Sequence, residues 1–180
     1  MAVNGKKKGS KNERNLAKWW QNWSGLEFTR VPASGGLRWN KTDNITGDLI
    51  CADQKSSRRF PFSIEAKSYN DIRFEHLILG NKKVKVLEFW QQSKEDAKRG
   101  NKVPILFMRY NGMAASTWFT LLPYDIYRIL ELKFNIKHKY PTATLNLYDE
   151  IVVLINSGDL CTVDYKAFIK EVKTYNKNGR

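Results

Sequence analysis

The sequence predicts one α/β domain with the order helix, three strands, helix, strand, built as a mixed central sheet flanked by helices, with further elements C-terminal to it. Three observations predict it. An amphipathic helix with a capping signal opens the chain, short apolar runs with strand periodicity follow, and a second amphipathic helix separates two of those runs. At 180 residues the chain has the length for one ordinary domain with a real core, and not comfortably for two.

Residues 1–11 (MAVNGKKKGSK) are polar, glycine-containing and basic, and read as a flexible arm ahead of a single domain over 12–180. Lys6, Lys7 and Lys8 there are phosphate contacts or a solubilising tail. Ser10-Lys11-Asn12-Glu13 fits the S-x-x-E capping box, and Leu16, Trp19, Trp20 and Trp23 follow at helical spacing until Gly25. Leu26 to Pro32 alternates as a strand and runs into the small loop Ala33-Ser34-Gly35-Gly36. Asp48 to Ala52 and Phe60 to Lys67 read as two further strands, joined by the basic turn Asp53 to Arg59. Strands joined in this way form an antiparallel hairpin whose open ends meet.

Asp71 to Lys85 lacks a clean period and reads as a loop with at most one helical turn. Val86 to Ala97 reads as an amphipathic helix stopped by Gly100. The nearly continuous apolar run Val103 to Tyr110 is the pattern of a strand buried on both faces. Ser116 to Leu122 is a strand, Pro123 opens a helix through Leu132, Lys133 to Pro141 is a basic loop, Glu150 to Asn156 is a strand, and Asp164 to Lys173 is a terminal helix. The core of the domain is thus placed at about 12–122 and a C-terminal extension at about 123–180.

Lysine and arginine number 31 against 18 acidic residues, a formal charge of +13. That excess favours a polyanionic partner, because a basic surface binds nucleic acid by displacing its counterions. Cys51 and Cys161 lie far apart inside apolar runs and read as small buried residues of a reducing compartment, not as a disulfide or a zinc site. No apolar stretch approaches the length of a membrane span, so no membrane partner is expected and the cytoplasm, the host's if the source is viral, is the expected location. No glycine loop for a nucleotide cofactor occurs, and His76 and His138 have no ligand spacing to a second His or Cys.

Chemistry concentrates in Gly47-Asp48-Leu49-Ile50 and Phe62-Ser63-Ile64-Glu65-Ala66-Lys67. The hairpin puts Asp48 and Glu65 at one end, where two carboxylates and the backbone carbonyl of Ala66 can offer oxygen ligands to Mg²⁺. Lys67 shares a strand face with Glu65 and can orient or deprotonate an attacking water, or stabilise developing phosphorane charge. Glu13 has a complete explanation as the third residue of its capping box, and reaches a metal only if the helix N-terminus points at it.

These residues carry a resemblance. Asp48 with Glu65-Ala66-Lys67 looks like the PD-(D/E)XK nuclease motif, with Gly47 in place of its proline. Lys8-Gly9-Ser10-Lys11-Asn12-Glu13-Arg14 resembles the K-G-S-x-x-E-R opening of archaeal-type Holliday junction resolvases, and Ser34 lies in a loop similar to their serine-bearing loop. The likeness covers roughly residues 5 to 110 and is compatible with a phage or bacterial member. It implies a restriction-endonuclease-like αβββαβ core, an Mg²⁺-dependent structure-selective DNA endonuclease in which Mn²⁺ can substitute, a four-way junction as substrate, a role in recombination or repair, and a homodimer. By the same resemblance Glu13, Asp48, Glu65 and Lys67 are catalytic, Ser34 lies near the scissile phosphate, and Asp48, Glu65, the Ala66 carbonyl and Glu13 hold the metal. Another endonuclease of the same superfamily, restriction-like, flap or repair, is the alternative reading, and a non-catalytic DNA-binding protein is a third. Some members carry a glutamine on the helix after the E-x-K strand; Gln91 and Gln92 both qualify, with Gln92 the candidate. Lys6, Lys7, Lys8, Arg14, Arg38, Trp39, Arg58, Arg59, Tyr69 and Arg73 are the expected DNA contacts, Trp39 and Tyr69 through stacking on a base.

Overall fold

A computed structural model describes residues 5–31, 45–52, 60–69, 72–74, 76, 79, 84–147 and 149–178, with the side chains of 5–8 and 178 not described. In chain order the elements are α1 (Gly5–Ser24), β1 (Phe28–Arg30), β2 (Leu49–Cys51), β3 (Phe62–Tyr69), α2 (Lys85–Arg99), β4 (Val103–Tyr110), β5 (Phe119–Pro123), α3 (Tyr124–Phe134), β6 (Ala143–Leu147), β7 (Glu150–Asn156), α4 (Ser157–Leu160) and α5 (Tyr165–Asn178). The seven described strands form one sheet in the order β1-β2-β3-β4-β5-β7-β6. This is the expected α/β class: a mixed sheet flanked by helices, consistent with a restriction-endonuclease-like fold.

The parallel pair β3 and β4 is the spine of the sheet, in register from Phe62↔Val103 to Tyr69↔Tyr110. A parallel pair needs a crossover, and α2 supplies it. All other pairings are antiparallel. Seven of the eight residues of β4 are buried, as its continuous apolar run requires.

Two apolar layers cover the two sheet faces. On one face, α1, α3 and α5 pack over Phe62, Ile64, Ile105 and Phe107. Trp20 is the centre of that layer, fully buried, with its ring 5.3 Å from Phe28 and 5.6 Å from Phe60. On the other face, α2 packs Val86, Phe89 and Trp90 against Leu106 and Met108. Strand alternation therefore sends Ile64 to the α1 side and Ser63, Glu65 and Lys67 to the α2 side.

Several elements differ from the sequence expectation. The helix begins at Gly5, so residues 5–11 of the expected arm are helical and Lys6, Lys7 and Lys8 lie in its first turns. Lysine is a good helix former, and the buried anchors Leu16, Trp19 and Trp20 hold a helix that extends through Gly9 at a cost of about 1 kcal/mol per glycine. Ser10 is then inside the helix and not at its N-cap, so Glu13 is not the third residue of a capping box. Strand β6 falls where no element was expected; it is an edge strand with only Leu147 buried, and its weak burial goes with its weak pattern. Cys161 is exposed, not buried, while Cys51 is in the core. His138, isolated in sequence, joins Tyr127 Oη at 3.1 Å and Asp159 Oδ2 at 3.3 Å, tying the segment after α3 to the buried acid of α4. The extension contributes β6 and β7 to the common sheet and Phe168, Ile169 and Val172 to the common core.

Among the described glycines, Gly47 is the one whose place positions the site. Its φ is +80°, and a Cβ there would stand 2.3 Å from the Ile64 carbonyl oxygen. Gly25 also has a positive φ, +69°, but a Cβ there would meet nothing within 4 Å. Gly47→Ala is therefore expected to cost more than Gly25→Ala, which carries only the backbone penalty of about 1–2 kcal/mol. Urea unfolding of the two variants measures the difference; equal losses would show that the close approach to Ile64 is not constraining.

Candidate active site

Strand β2 meets β3 antiparallel at Leu49↔Ile64, and one residue outward that register sets Asp48 beside Glu65. Three hydrogen bonds fix Asp48. Its N–H donates to the Ile64 carbonyl at 2.7 Å, its carbonyl accepts from Val31 N–H at 2.9 Å, and its Oδ2 accepts from Ala66 N–H at 2.9 Å. The tight approach needs the positive φ of Gly47, which proline, locked near −65°, cannot adopt. Glycine in place of the motif's proline is thus required by this backbone.

Glu65 is 1 % exposed and Asp48 8 %, so two carboxylates are buried side by side. Lys67 Nζ stands 2.5 Å from Glu65 Oε1, as their shared strand face predicts, and 5.8 Å from the centre of the Phe89 ring on α2. That ion pair is not aligned as a hydrogen bond, and neither Glu65 oxygen has an aligned donor among the described residues. Burial, then the Asp48 charge, pushes the Glu65 carboxyl up to about 7, against the pull of Lys67. Burial also raises Asp48, with Glu13 and Asp96 adding to it and the Ala66 N–H and Lys67 opposing. For Lys67, burial alone would depress the ammonium, but the Glu65 charge and contact, with Asp48 and Asp96, outweigh it and leave it raised. Lys67 therefore keeps its proton in this arrangement. Its suggested role in deprotonating water required a lowered pKa, and the structure gives the opposite shift.

Two buried carboxylates with raised pKa, one of them with no aligned donor among the described residues, fit a hard divalent cation, which takes one or two carboxylates together with water and substrate oxygens. No group of three or more His, Cys, Asp or Glu side chains placed to hold a metal occurs among the described residues. The Asp48 and Glu65 pair, with the Ala66 carbonyl on the same segment, could hold such a cation.

Glu13 is held elsewhere: its Oε2 accepts from Arg30 Nε at 2.5 Å, on the α1 side of the sheet. It reaches the site through its charge, which raises Asp48. Two residues went unread in the sequence. Arg30, alone on a short strand, gave no signal. Asp96 of α2 acts on Asp48, Glu65 and Lys67 by its charge and pairs with Arg99. Its position four residues after Gln92 was the available clue. Gln92 is exposed on the same flank of α2, one turn before Asp96, whereas Gln91 points to the opposite flank and donates to Glu95 Oε1 at 3.0 Å.

Among the expected DNA contacts, Arg14 is exposed and lines a basic groove with Lys18 and Arg30. Tyr69 is 40 % exposed with its ring centre 5.1 Å from that of Phe89, and Arg73 is exposed. Phe74, next to Arg73, packs edge-on against Phe119 with ring centres 5.0 Å apart. Ser34, Arg38, Trp39, Arg58 and Arg59 lie outside the described residues, as do the side chains of Lys6, Lys7 and Lys8.

The raised Glu65 carboxyl has a pH signature. A carboxyl whose folded pKa lies above its unfolded one stabilises the fold fully below pH 4.5 and loses that contribution as pH rises through about 7. In EDTA, the wild type is expected to lose unfolding free energy between pH 4.5 and 7, and Glu65→Gln to lose less over that window. Added Mg²⁺ or Mn²⁺ is expected to restore the wild type at pH 8 and not the variant. Parallel pH profiles for the two proteins would overturn the assignment of strain to Glu65.

With the geometry established, comparison with known proteins is informative. A family described as "Phage putative PDDEXK endonuclease" matches residues 4–177. Protein D14 of Escherichia phage T5 is 26 % identical over 109 residues, which cover 61 % of this chain and 66 % of that protein, a little under two thirds of its length. No solved structure matches. The family match spans nearly the whole chain and includes the Asp48, Glu65 and Lys67 that β2 and β3 bring together, so the protein belongs to the phage PDDEXK endonuclease family.

Proposed function

We propose that this protein is an Mg²⁺-dependent, structure-selective DNA endonuclease, most specifically a Holliday junction resolvase acting in phage recombination or repair in the cytoplasm. The observation that carries the nuclease reading is the buried Asp48 and Glu65 pair beside a charged Lys67. The resolvase reading rests on the K-G-S-x-x-E-R block, whose Glu13 has no capping duty in a helix that begins at Gly5.

Asp48, Glu65 and the Ala66 carbonyl would hold the cation, with Glu13 as a further oxygen donor when it leaves Arg30; Mn²⁺ would substitute for Mg²⁺. When bound, such an ion acidifies water and neutralises phosphate charge. Lys67, protonated, stabilises negative charge on the phosphorus oxygens as the attacking and leaving oxygens exchange. The Ala66 N–H keeps Asp48 in its rotamer, so Oδ1 stays directed away from that bond. Ser34 is assigned to the scissile phosphate and Gln92 to orienting water or phosphate from the α2 flank. Cutting both strands of a symmetric junction calls for two such sites, hence a homodimer.

A specific observation favours the alternative, another PD-(D/E)XK endonuclease: β6, β7 and α5 enlarge the sheet and core beyond the segment that resembles resolvases. Cleavage of a labelled four-way junction, a linear duplex and a flap decides between them. Paired cuts in the junction with Mg²⁺, none in EDTA and little duplex cleavage are expected. Asp48→Asn and Glu65→Gln are expected to lose about 100-fold or more in rate. Equal rates on all three substrates would overturn the resolvase reading, and no cleavage of any DNA with Mg²⁺ or Mn²⁺ would overturn the nuclease reading. Glu13→Gln, with unchanged unfolding, is expected to cut far more slowly; wild-type activity would remove Glu13 from the site.

A further inference from the structure

Helix α5 carries Lys166, Lys170, Lys173 and Lys177, at spacings of four, three and four residues. On a helix these positions fall on one flank, and at 1.5 Å per residue they span about 16 Å. All four line one open groove whose floor is apolar, with Leu26, Phe60 and Ile169. Among the described residues, no acidic residue lines that groove.

The charge on α5 is sorted by side. The apolar stripe Tyr165, Phe168, Ile169 and Val172 is buried in the core. The acids lie across that stripe from the lysines. Glu171 pairs with Lys133 of α3, and Asp164 accepts from Ala167 N–H at 2.8 Å at the start of the helix. A flank serving only solubility has no need of this separation. Helices with a Lys row and neighbouring acids form i,i+4 pairs on the surface, as Lys85 and Glu88 or Arg99 and Asp96 do on α2 by i,i+3 spacing. On α5 the row of cations lines one groove over an apolar floor.

We infer that the lysine flank of α5 is a second nucleic-acid contact, holding the phosphate backbone of the DNA away from the scissile bond. The inference rests on the reading of the protein as a DNA endonuclease and adds to it where another part of the substrate lies. Four cations within about 16 Å match the closely and regularly spaced charges of a DNA strand. Phe60, in the groove floor, leads into β3 and stands five residues before Glu65, about 16 Å along the strand. The two places are joined by one strand, but α5 packs on the sheet face opposite the Glu65 side chain. DNA engaging both therefore has to pass the sheet edge or present two arms, a geometry that suits a branched substrate better than a straight duplex. An anionic membrane is the less suitable polyanion, because α5 spends its apolar face on the core and has none left to insert.

The test uses the full-length protein and metal-free binding, so that cleavage is not needed for the readout. Fluorescence anisotropy with a labelled four-way junction is measured over a series of salt concentrations, for the wild type, for Lys166→Gln/Lys170→Gln/Lys173→Gln/Lys177→Gln and for the matching fourfold Lys→Arg variant. The slope of log K against log salt is expected to be shallower by about 3.6 for the Gln variant, near 0.9 for each lost phosphate contact, and unchanged for the Arg variant. With Mg²⁺ the Gln variant is expected to raise KM and keep kcat at saturating DNA. Should the fourfold Gln protein fail to fold, Lys166→Gln/Lys170→Gln, both exposed, is expected to lower the slope by about 2. Wild-type slope and affinity in the Gln variants, with the wild type itself binding and cutting DNA, overturn this inference alone. A wild type that binds no DNA overturns it together with the endonuclease reading. Loss of binding to vesicles of anionic phospholipid, with DNA binding intact, assigns the flank to a membrane and also overturns it.

Discussion

The constraint on which the site depends is the close approach of the chain at Gly47 and Asp48 to β3. A backbone hydrogen bond of 2.7 Å from Asp48 N–H to the Ile64 carbonyl leaves no room for a side chain at residue 47. It also brings Asp48 Oδ2 to the Ala66 N–H, so the acid is held by the strand that carries the second acid. Burial raises the pKa of both carboxylates, the Asp48 charge raises Glu65 further, and Glu13 and Asp96 add to the shift of Asp48. The fold therefore maintains a locally unfavourable charge arrangement that a cation would relieve, the pattern expected of a site pre-organised for a ligand and not for stability.

That arrangement is sustained by the packing around it. Strand β3 is central in the sheet, paired along its whole length with β4, and its Phe62 and Ile64 are clamped under Trp20 and its aromatic neighbours. Rings buried together in this way contribute several kcal/mol each, enough to offset the cost of Glu65 and Asp48 beneath the opposite layer. The α2 face is less uniformly apolar, with buried Ser63 and Ser93 beside Phe89 and Trp90. Its polarity is concentrated where the site is, and Asp96 projects its charge there from the same helix.

The C-terminal third belongs to the same body. Strands β5 and β7 pair over five residues, α5 packs on α3 and α1, and Trp23 Nε1 donates to the Val163 carbonyl at 3.0 Å. Helix α1, which bears Glu13, is thus braced by the segment that follows the nuclease core. The lysine flank of α5 is held at a fixed place relative to β3 for the same reason.

Much of this was legible in the residues. Val103 to Tyr110 and Glu150 to Asn156 were read to their bounds, because continuous apolar runs admit few alternatives at strand length. Asp48, Glu65 and Lys67 were readable as a set, since a hairpin and a period of two place them by local geometry. Strand β6 was not readable, because an edge strand with one buried residue leaves almost no pattern. The start of α1 was misplaced because a capping box is a local signal, and the aromatic anchors farther along overrode it. The sequence by itself determined which residue types stand at the hairpin end, that the chain is strongly basic and that the class is α/β. Only the tertiary structure decided that Glu65 is buried without an aligned donor, that Lys67 keeps its proton, that Glu13 rests on Arg30 and that Asp96 joins the electrostatics. Burial and charge proximity are properties of residues distant in the chain, and no local periodicity encodes them.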